Sequence, residues 1–218
     1  MLVMLLSHEL GTPTTHILAY LRLLQERAPV AEQIELNLAV EQALTLKSRL
    51  EDLLLLNQLE AGLWDLDIGP VSIQELVVRV VQAQRPHLDE KGLTLTTHIE
   101  CNKSVCADRE MLYRALEHII ANACKFSRPY GNIQVRIECI ETNCRVTVTD
   151  QGIGIPAEKQ AQIFEPFYQV DLTRTRRYNG LGIGLRLVRA IIERHHGEIQ
   201  VSSQMGRGST FALTIPLV

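Results

Sequence analysis

The sequence predicts two domains of different class: an all-α helical hairpin that forms a four-helix bundle by dimerising, then an α+β sandwich. Three observations carry this reading. Before residue 63, apolar side chains recur at three-, four- and seven-residue steps. A cluster of breakers, Gly62, Gly69 and Pro70, then ends that pattern. Beyond it, runs that alternate apolar and polar residues are interleaved with amphipathic helices. The expected division is 1–66 for the hairpin and 67–218 for the sandwich.

The first helix carries Leu6, Leu10, Ile17, Leu21 and Leu24 and is expected to end near Arg27, because Pro29 cannot easily continue it. The second starts near Ala31 and places Leu36, Val40, Ala43, Leu50 and Leu54 on one face. Leu53–Leu56 widen that face. A hairpin alone leaves its apolar stripe uncovered, so a second hairpin is expected to complete the bundle. In the sandwich, Ser72-Ile-Gln-Glu75 is a capping box that opens a helix to about Gln84. Strand patterns follow at Leu93–Ile99, Ser104–Cys106, Asn132–Ile140, Arg145–Thr149, Glu198–Ser203 and Ser209–Pro216. Helical patterns occupy about Asp108–Phe126 and Gly182–His196.

A net charge of −3 argues against a general nucleic-acid-binding surface, which needs a cationic excess. No run of apolar residues is long enough for a membrane helix, and Met1–Leu6 lacks the flanks of a signal peptide. The 5 cysteines are odd in number and form no Cys-x-x-Cys pair, so neither a disulfide framework nor a zinc site is expected and a reducing, cytoplasmic setting fits. The chain opens inside a helical pattern, as a piece of a longer protein would, and an anchor elsewhere in that protein is compatible with the cytoplasmic reading of this piece.

Chemistry concentrates in five places. Ser7-His8-Glu9-Leu10-Gly11-Thr12-Pro13 puts an imidazole, a carboxylate and a hydroxyl on one stretch of helix. On a later helix Asn122 lies one turn after His118, and Lys125 follows three residues on; an amide oxygen suits Mg²⁺ and an ammonium suits phosphate. Asp150-Gln-Gly152-Ile-Gly154 directly follows a strand, and Gly180-Leu181-Gly182-Ile-Gly184 directly precedes a helix. Glycines there let a backbone approach phosphate, and a helix N-terminus adds oriented N–H groups. A Rossmann fingerprint is excluded by context, since Gly180 follows a polar run rather than a strand. Between the clusters, 155–179 holds Phe164-Glu-Pro-Phe167 and the arginines 174, 176 and 177, either a solvated run or a lid whose cations face a polyphosphate.

In order along the chain, Asn-Ala-x-Lys-Phe-Ser, Asp-x-Gly-x-Gly, Phe-x-Pro-Phe, Gly-Leu-Gly-Ile-Gly-Leu and Gly-x-Gly-Ser-x-Phe resemble the catalytic domain of sensor histidine kinases. The opening Ser-His-Glu-Leu-x-Thr-Pro resembles the same family's phosphoacceptor box, so the resemblance covers the whole chain. It implies a Bergerat-type ATP site. Asp150 would receive the adenine amino group, Asn122 would bind Mg²⁺, Lys125 would contact phosphate and Phe126 would lie against the adenine. Gly152, Gly154 and Leu181 would be part of the nucleotide site, while Gly180, Gly182 and Gly184 would hinge the lid and place backbone N–H groups near phosphate. His8 would accept the phosphoryl group, with Glu9 as general base and Thr12 orienting water for dephosphorylation of the partner. That partner would be an aspartate on a response-regulator receiver domain.

Three positions depart from the family pattern, one of them Thr14, which stands where a leucine is common. Gly11 stands where an arginine is usual, which removes a cation beside His8 and weakens the helix by about 1 kcal/mol against alanine. His118 stands where a second asparagine is frequent; it could bind phosphate or metal or be a neutral spacer. Gly11 and His118 keep a second reading open, a non-catalytic dimeric scaffold that binds ATP and signals by conformation.

Overall fold

The computed structural model describes residues 2–29, 32–170 and 181–218, and for residues 2–13 and 27 the backbone only. The chain forms two compact units, Met1–Trp64 and Asp65–Val218.

The first unit is two helices, α1 (Leu2–Arg27) and α2 (Gln33–Glu60), packed side by side. Near the turn Gln25 Nε2 donates to Asn37 Oδ1 across the pair. Among the described side chains of this unit only Thr14, Leu18, Leu55, Leu56 and Leu59 are buried. Tyr20, Leu24, Ile34 and Leu38 stand exposed.

The second unit is a five-stranded mixed sheet with helices on one face. Its order is β2 (Thr94–Ile99), β4 (Asn132–Ile140), β5 (Asn143–Thr149), β7 (Gly208–Pro216) and β6 (Glu198–Gln204). All neighbours are antiparallel except β2 and β4, whose parallel register pairs Ile99 with Ile137. Alternate residues point inward: Ile133, Val135 and Ile137 from β4, with Cys144, Val146 and Val148 from β5. They meet two amphipathic helices, α5 (Arg109–Phe126) through Leu112, Leu116, Ile119 and Ile120, and α6 (Gly184–Arg194) through Leu187, Val188, Ile191 and Ile192. Each fully buried side chain of this size contributes about 1.5–3 kcal/mol.

A smaller antiparallel ribbon joins β1 (Ile68–Ser72) to β3 (Ser104–Asp108). Both strands run straight into helices that they cap. Ser72 Oγ accepts the Glu75 N–H at 3.3 Å to start α3 (Ile73–Ala83). Asp108 Oδ1 accepts the N–H groups of Glu110 and Met111 at 3.0 and 3.1 Å to start α5. His195 ties the other end of α6 to this cap. Its Nε2 accepts the Asp108 N–H at 2.9 Å and its Nδ1 lies 2.7 Å from the Ile191 carbonyl, so the proton sits on Nδ1. Burial pushes the His195 imidazole pKa down, against the opposing Ile191 carbonyl and Asp108 charge.

Several elements differ from what the sequence predicts. Gly69 and Pro70, read as breakers, lie inside β1, where a two-stranded ribbon gives an edge that tolerates proline. A short helix α4 (Arg85–Lys91) follows α3 at once, with Pro86 in its first turn, and was not expected. β5 starts at Asn143, and α6 at Gly184 because Gly182 has a φ of +72°. Cys101 and Cys139 form a disulfide with Cα atoms 5.0 Å apart, contrary to the expectation of none. The parallel pairing of β2 with β4 brings them together, which no local spacing could show.

Candidate nucleotide site

The last turn of α5 carries Asn122, Lys125 and Phe126, all half-buried. Two contacts fix it. Lys91, at the end of α4, donates from Nζ to the Cys124 carbonyl at 3.0 Å and also to the Lys125 carbonyl. An ammonium there satisfies carbonyls that the helix end leaves open and matches its dipole. Beyond the helix, Ser127 bridges to Gly152 in the loop after β5. The Lys125 ammonium lies 5.1 Å from the centroid of the Phe126 ring.

Asp150 ends the central strand β5 and is 6% exposed. Its Oδ1 accepts the Gly152 N–H at 2.8 Å and the Ser209 N–H at 3.2 Å, and among the described residues no donor reaches Oδ2. Burial pushes the Asp150 carboxyl pKa up, while the two N–H groups pull the other way. The loop is laced to the turn between β6 and β7. Asp150 N–H donates to the Ser209 carbonyl at 2.8 Å, Ser203 Oγ accepts the Ile155 N–H at 2.8 Å and donates to the Gly208 carbonyl at 2.8 Å, and Gln160 Nε2 reaches the Ser203 carbonyl at 2.8 Å. Gly208 makes this approach possible. Its φ is +105°, and a Cβ there would stand 2.0 Å from the Asp150 carbonyl oxygen. Gly154 packs as closely on Gln204, and Gly152 on Phe126 and Asp150. Beside this loop Ser127 Oγ, 2% exposed as a residue, has no hydrogen-bond partner among the described residues.

The second glycine cluster meets α5 from the other side. Gly184 opens α6, whose first turn has no side-chain cap, and His118 Nδ1 lies 3.0 Å from where a Gly184 Cβ would stand. The His118 ring therefore sits against a helix N-terminus, one turn of α5 before Asn122. Gly182 accepts the Phe167 N–H at 3.0 Å, and Phe167 itself has a φ of +64°. Phe164 is buried with the Arg189 guanidinium 5.2 Å from its ring centroid. Leu181 is 41% exposed.

The structure thus groups Asn122, Lys125 and Phe126 with Asp150, Gly152 and Gly154, and places Gly184 against the same helix through His118. Gly180 and the arginines 174, 176 and 177 lie outside the described residues, as do the side chains of His8, Glu9 and Thr12, whose backbone is part of α1. Among the described residues no cluster of three or more His, Cys, Asp or Glu side chains could hold a metal. Sequence reasoning missed Lys91, Ser203, Gln160 and Ser209. Ser209 stood inside the last glycine motif and could have been found there; the others act across the fold and left no local signal.

Residues 107–218 match the family described as histidine kinase-, DNA gyrase B- and HSP90-like ATPase. The chain is similar to the circadian input-output histidine kinase CikA of Synechococcus elongatus, 35% identical over 218 residues that make up 97% of this chain and 29% of that protein. It is also similar to the autoinducer 2 sensor kinase/phosphatase LuxQ of Vibrio harveyi, 31% identical over 221 residues, 97% of this chain and 26% of that one. Among solved structures, full-length ShkA in complex with AMPPNP superposes with a TM-score of 0.86 at 29% identity, covering 99% of this chain and 45% of that one. The chain therefore spans less than a third of the length of these two curated relatives, 29% and 26%.

Proposed function

Because the chain belongs to the histidine kinase-, DNA gyrase B- and HSP90-like ATPase family and is a sensor histidine kinase core, we propose that it binds ATP and phosphorylates its own His8. It then passes the phosphoryl group to an aspartate of a response-regulator receiver domain. Residues 1–66 serve as the dimerisation and phosphotransfer hairpin and 67–218 as the catalytic domain, in a cytoplasmic homodimer.

One observation carries this reading: Asp150, buried at the end of the central strand, with Oδ1 fixed by two backbone N–H groups and Oδ2 reached by no donor among the described residues. A carboxylate held that way suits an exocyclic amino group such as that of adenine. Along α5 from there, Asn122, Lys125 and His118 would receive the phosphates, and the N–H groups of the first turn of α6, against His118, would add fixed positive ends. Asn122 is the residue that would hold Mg²⁺, its amide oxygen being a hard donor, and the ion would supply neutralisation of phosphate charge.

Phosphoryl transfer asks mainly for position and charge neutralisation. The unprotonated imidazole nitrogen of His8 attacks the γ-phosphorus in line and ADP departs with the electron pair of the broken P–O bond. Glu9 takes the proton from the other ring nitrogen. Thr12, four residues on and so on the same helical face, is placed to orient water for dephosphorylating the regulator, an activity that the name of LuxQ includes for that protein.

Incubation with γ-labelled ATP and Mg²⁺ should leave acid-labile, base-stable label on the wild type and none on His8→Gln, with nucleotide affinity equal in both. Label retained by His8→Gln would overturn the assignment. Nucleotide binding without any label on the wild type would instead favour the scaffold reading, for which Gly11 and His118 speak.

A further inference from the structure

The Cys101–Cys139 bond lies outside the nucleotide site, yet it closes a loop that contains part of that site. Its sequence separation is 38, and the enclosed chain holds β3, all of α5 and most of β4. Cys101 is 4% exposed in the segment after β2, whereas Cys139 is exposed at the rim of β4. The bond thus staples the end of β2 to β4. β2 is the sheet's parallel edge, paired on one side alone, and none of its six residues is buried. At its other end β2 is joined by Gly92 and Leu93 to Lys91, whose ammonium holds the Cys124 and Lys125 carbonyls at the last turn of α5. One continuous element therefore runs from the staple to the turn that carries Asn122 and Lys125.

We propose that the Cys101–Cys139 pair is a reversible redox site, reduced by dithiols, whose state sets how firmly β2 and the last turn of α5 are held. A thiolate of the reductant attacks the exposed Cys139 sulfur and Cys101 leaves as a thiolate that takes a proton. The second thiol of the reductant then displaces Cys139, which is protonated in turn. Two electrons and two protons reach the protein and the reductant departs as its own disulfide. Cys144 lies directly opposite Cys139 in the β4–β5 register, but burial pushes its thiol pKa up to about 11. It stays protonated at neutral pH and leaves the exchange to the other two. The consequence for nucleotide affinity rests on the ATP reading above; the redox site itself does not.

The test uses the whole chain purified without reductant. Peptide mapping should recover a 101–139 linked pair, and Cys144→Ser should retain it. Reduction with dithiothreitol should raise amide hydrogen exchange over 94–99 at least about tenfold, raise it less over 122–126 and leave β6 unchanged. Cys101→Ser/Cys139→Ser should behave as the reduced wild type, and reduced wild type alone suffices if the variant fails to fold. In calorimetry, reduction should weaken binding of a non-hydrolysable ATP analogue several-fold. A different cysteine pairing, no pairing, or unchanged exchange over 94–99 would overturn the proposal. Faster exchange with unchanged analogue affinity would overturn its link to the site. Absence of analogue binding in both states would strike the ATP reading and leave the redox site to be judged by exchange.

Discussion

In the hairpin Tyr20 is 68% exposed and Ile34 71%, whereas in the sandwich Leu76, Ile119 and Ile133 are all 0% exposed. The sandwich has two layers and closes its own core. The hairpin has one layer of two helices, so its apolar stripe has nothing of its own to meet. Exposed apolar surface on this scale marks an interaction face rather than a stable end state. The two regions therefore differ in what completes them. A second hairpin from another copy of the chain is the cover that the proposed function supplies, while the described groups of the candidate nucleotide site are held by contacts within one chain.

Charge on the hairpin face should break that contrast most sharply. Leu38→Glu, repeated by symmetry in both copies, removes about 1.5–3 kcal/mol of burial twice. A dimer dissociation constant raised at least a hundredfold is expected by sedimentation, with ATP affinity unchanged. A dimer that persists would place the interface elsewhere. Next, Asp150→Asn keeps an acceptor for the Gly152 and Ser209 N–H groups but presents an amide where a carboxylate stood. Loss of about 1.5–3 kcal/mol in nucleotide binding, ten- to a hundredfold by calorimetry, is expected with thermal unfolding little changed. Gly208→Ala should do the reverse. Its Cβ would stand 2.0 Å from the Asp150 carbonyl, so the loop must move at a cost of about 1–3 kcal/mol, seen as a lower unfolding temperature of the sandwich.

The smallest expected effect concerns pH. Burial lowers the pKa of His195 in the folded state, so the unfolded chain binds this proton more readily. The neutral ring's contribution is fully present above the unfolded value of about 6.5 and is lost as pH falls from there toward the lowered folded value. Asp150 acts with the opposite sign, because its raised pKa lets the folded state take up a proton first. Denaturant unfolding between pH 7.5 and about 5 should show a fall of no more than about 1.4 kcal/mol per pH unit, steeper in Asp150→Asn than in the wild type. A flat profile in that variant would contradict the neutral, doubly bonded His195.

Asp150, Gly152 and Asn122 each stand in a short pattern that says little alone; it is the order of those patterns along the chain that gave them their expected roles, and the structure groups them around the last turn of α5. What stayed hidden depends on pairing at a distance. Cys101 and Cys139 meet only through the β2–β4 register, and Lys91 reaches α5 from a helix whose proline looks like a breaker. β1 hid for a related reason: Gly69 and Pro70 are poor strand residues that an edge ribbon accepts.

The pairing of β5 with β7 carries one more consequence, for the order in which the molecule assembles. Asp150 receives the Ser209 N–H from β7, the final strand in chain order, after 155–179 and α6 have intervened. Helix pairs form from near neighbours and do so quickly, while sheets that join distant strands form slowly. During synthesis the hairpin emerges first with its apolar face bare, and the Asp150 loop is completed last. A ribosome-bound or truncated chain that stops short of β7 therefore holds α1, with the proposed phosphoacceptor His8, without the completed Asp150 loop.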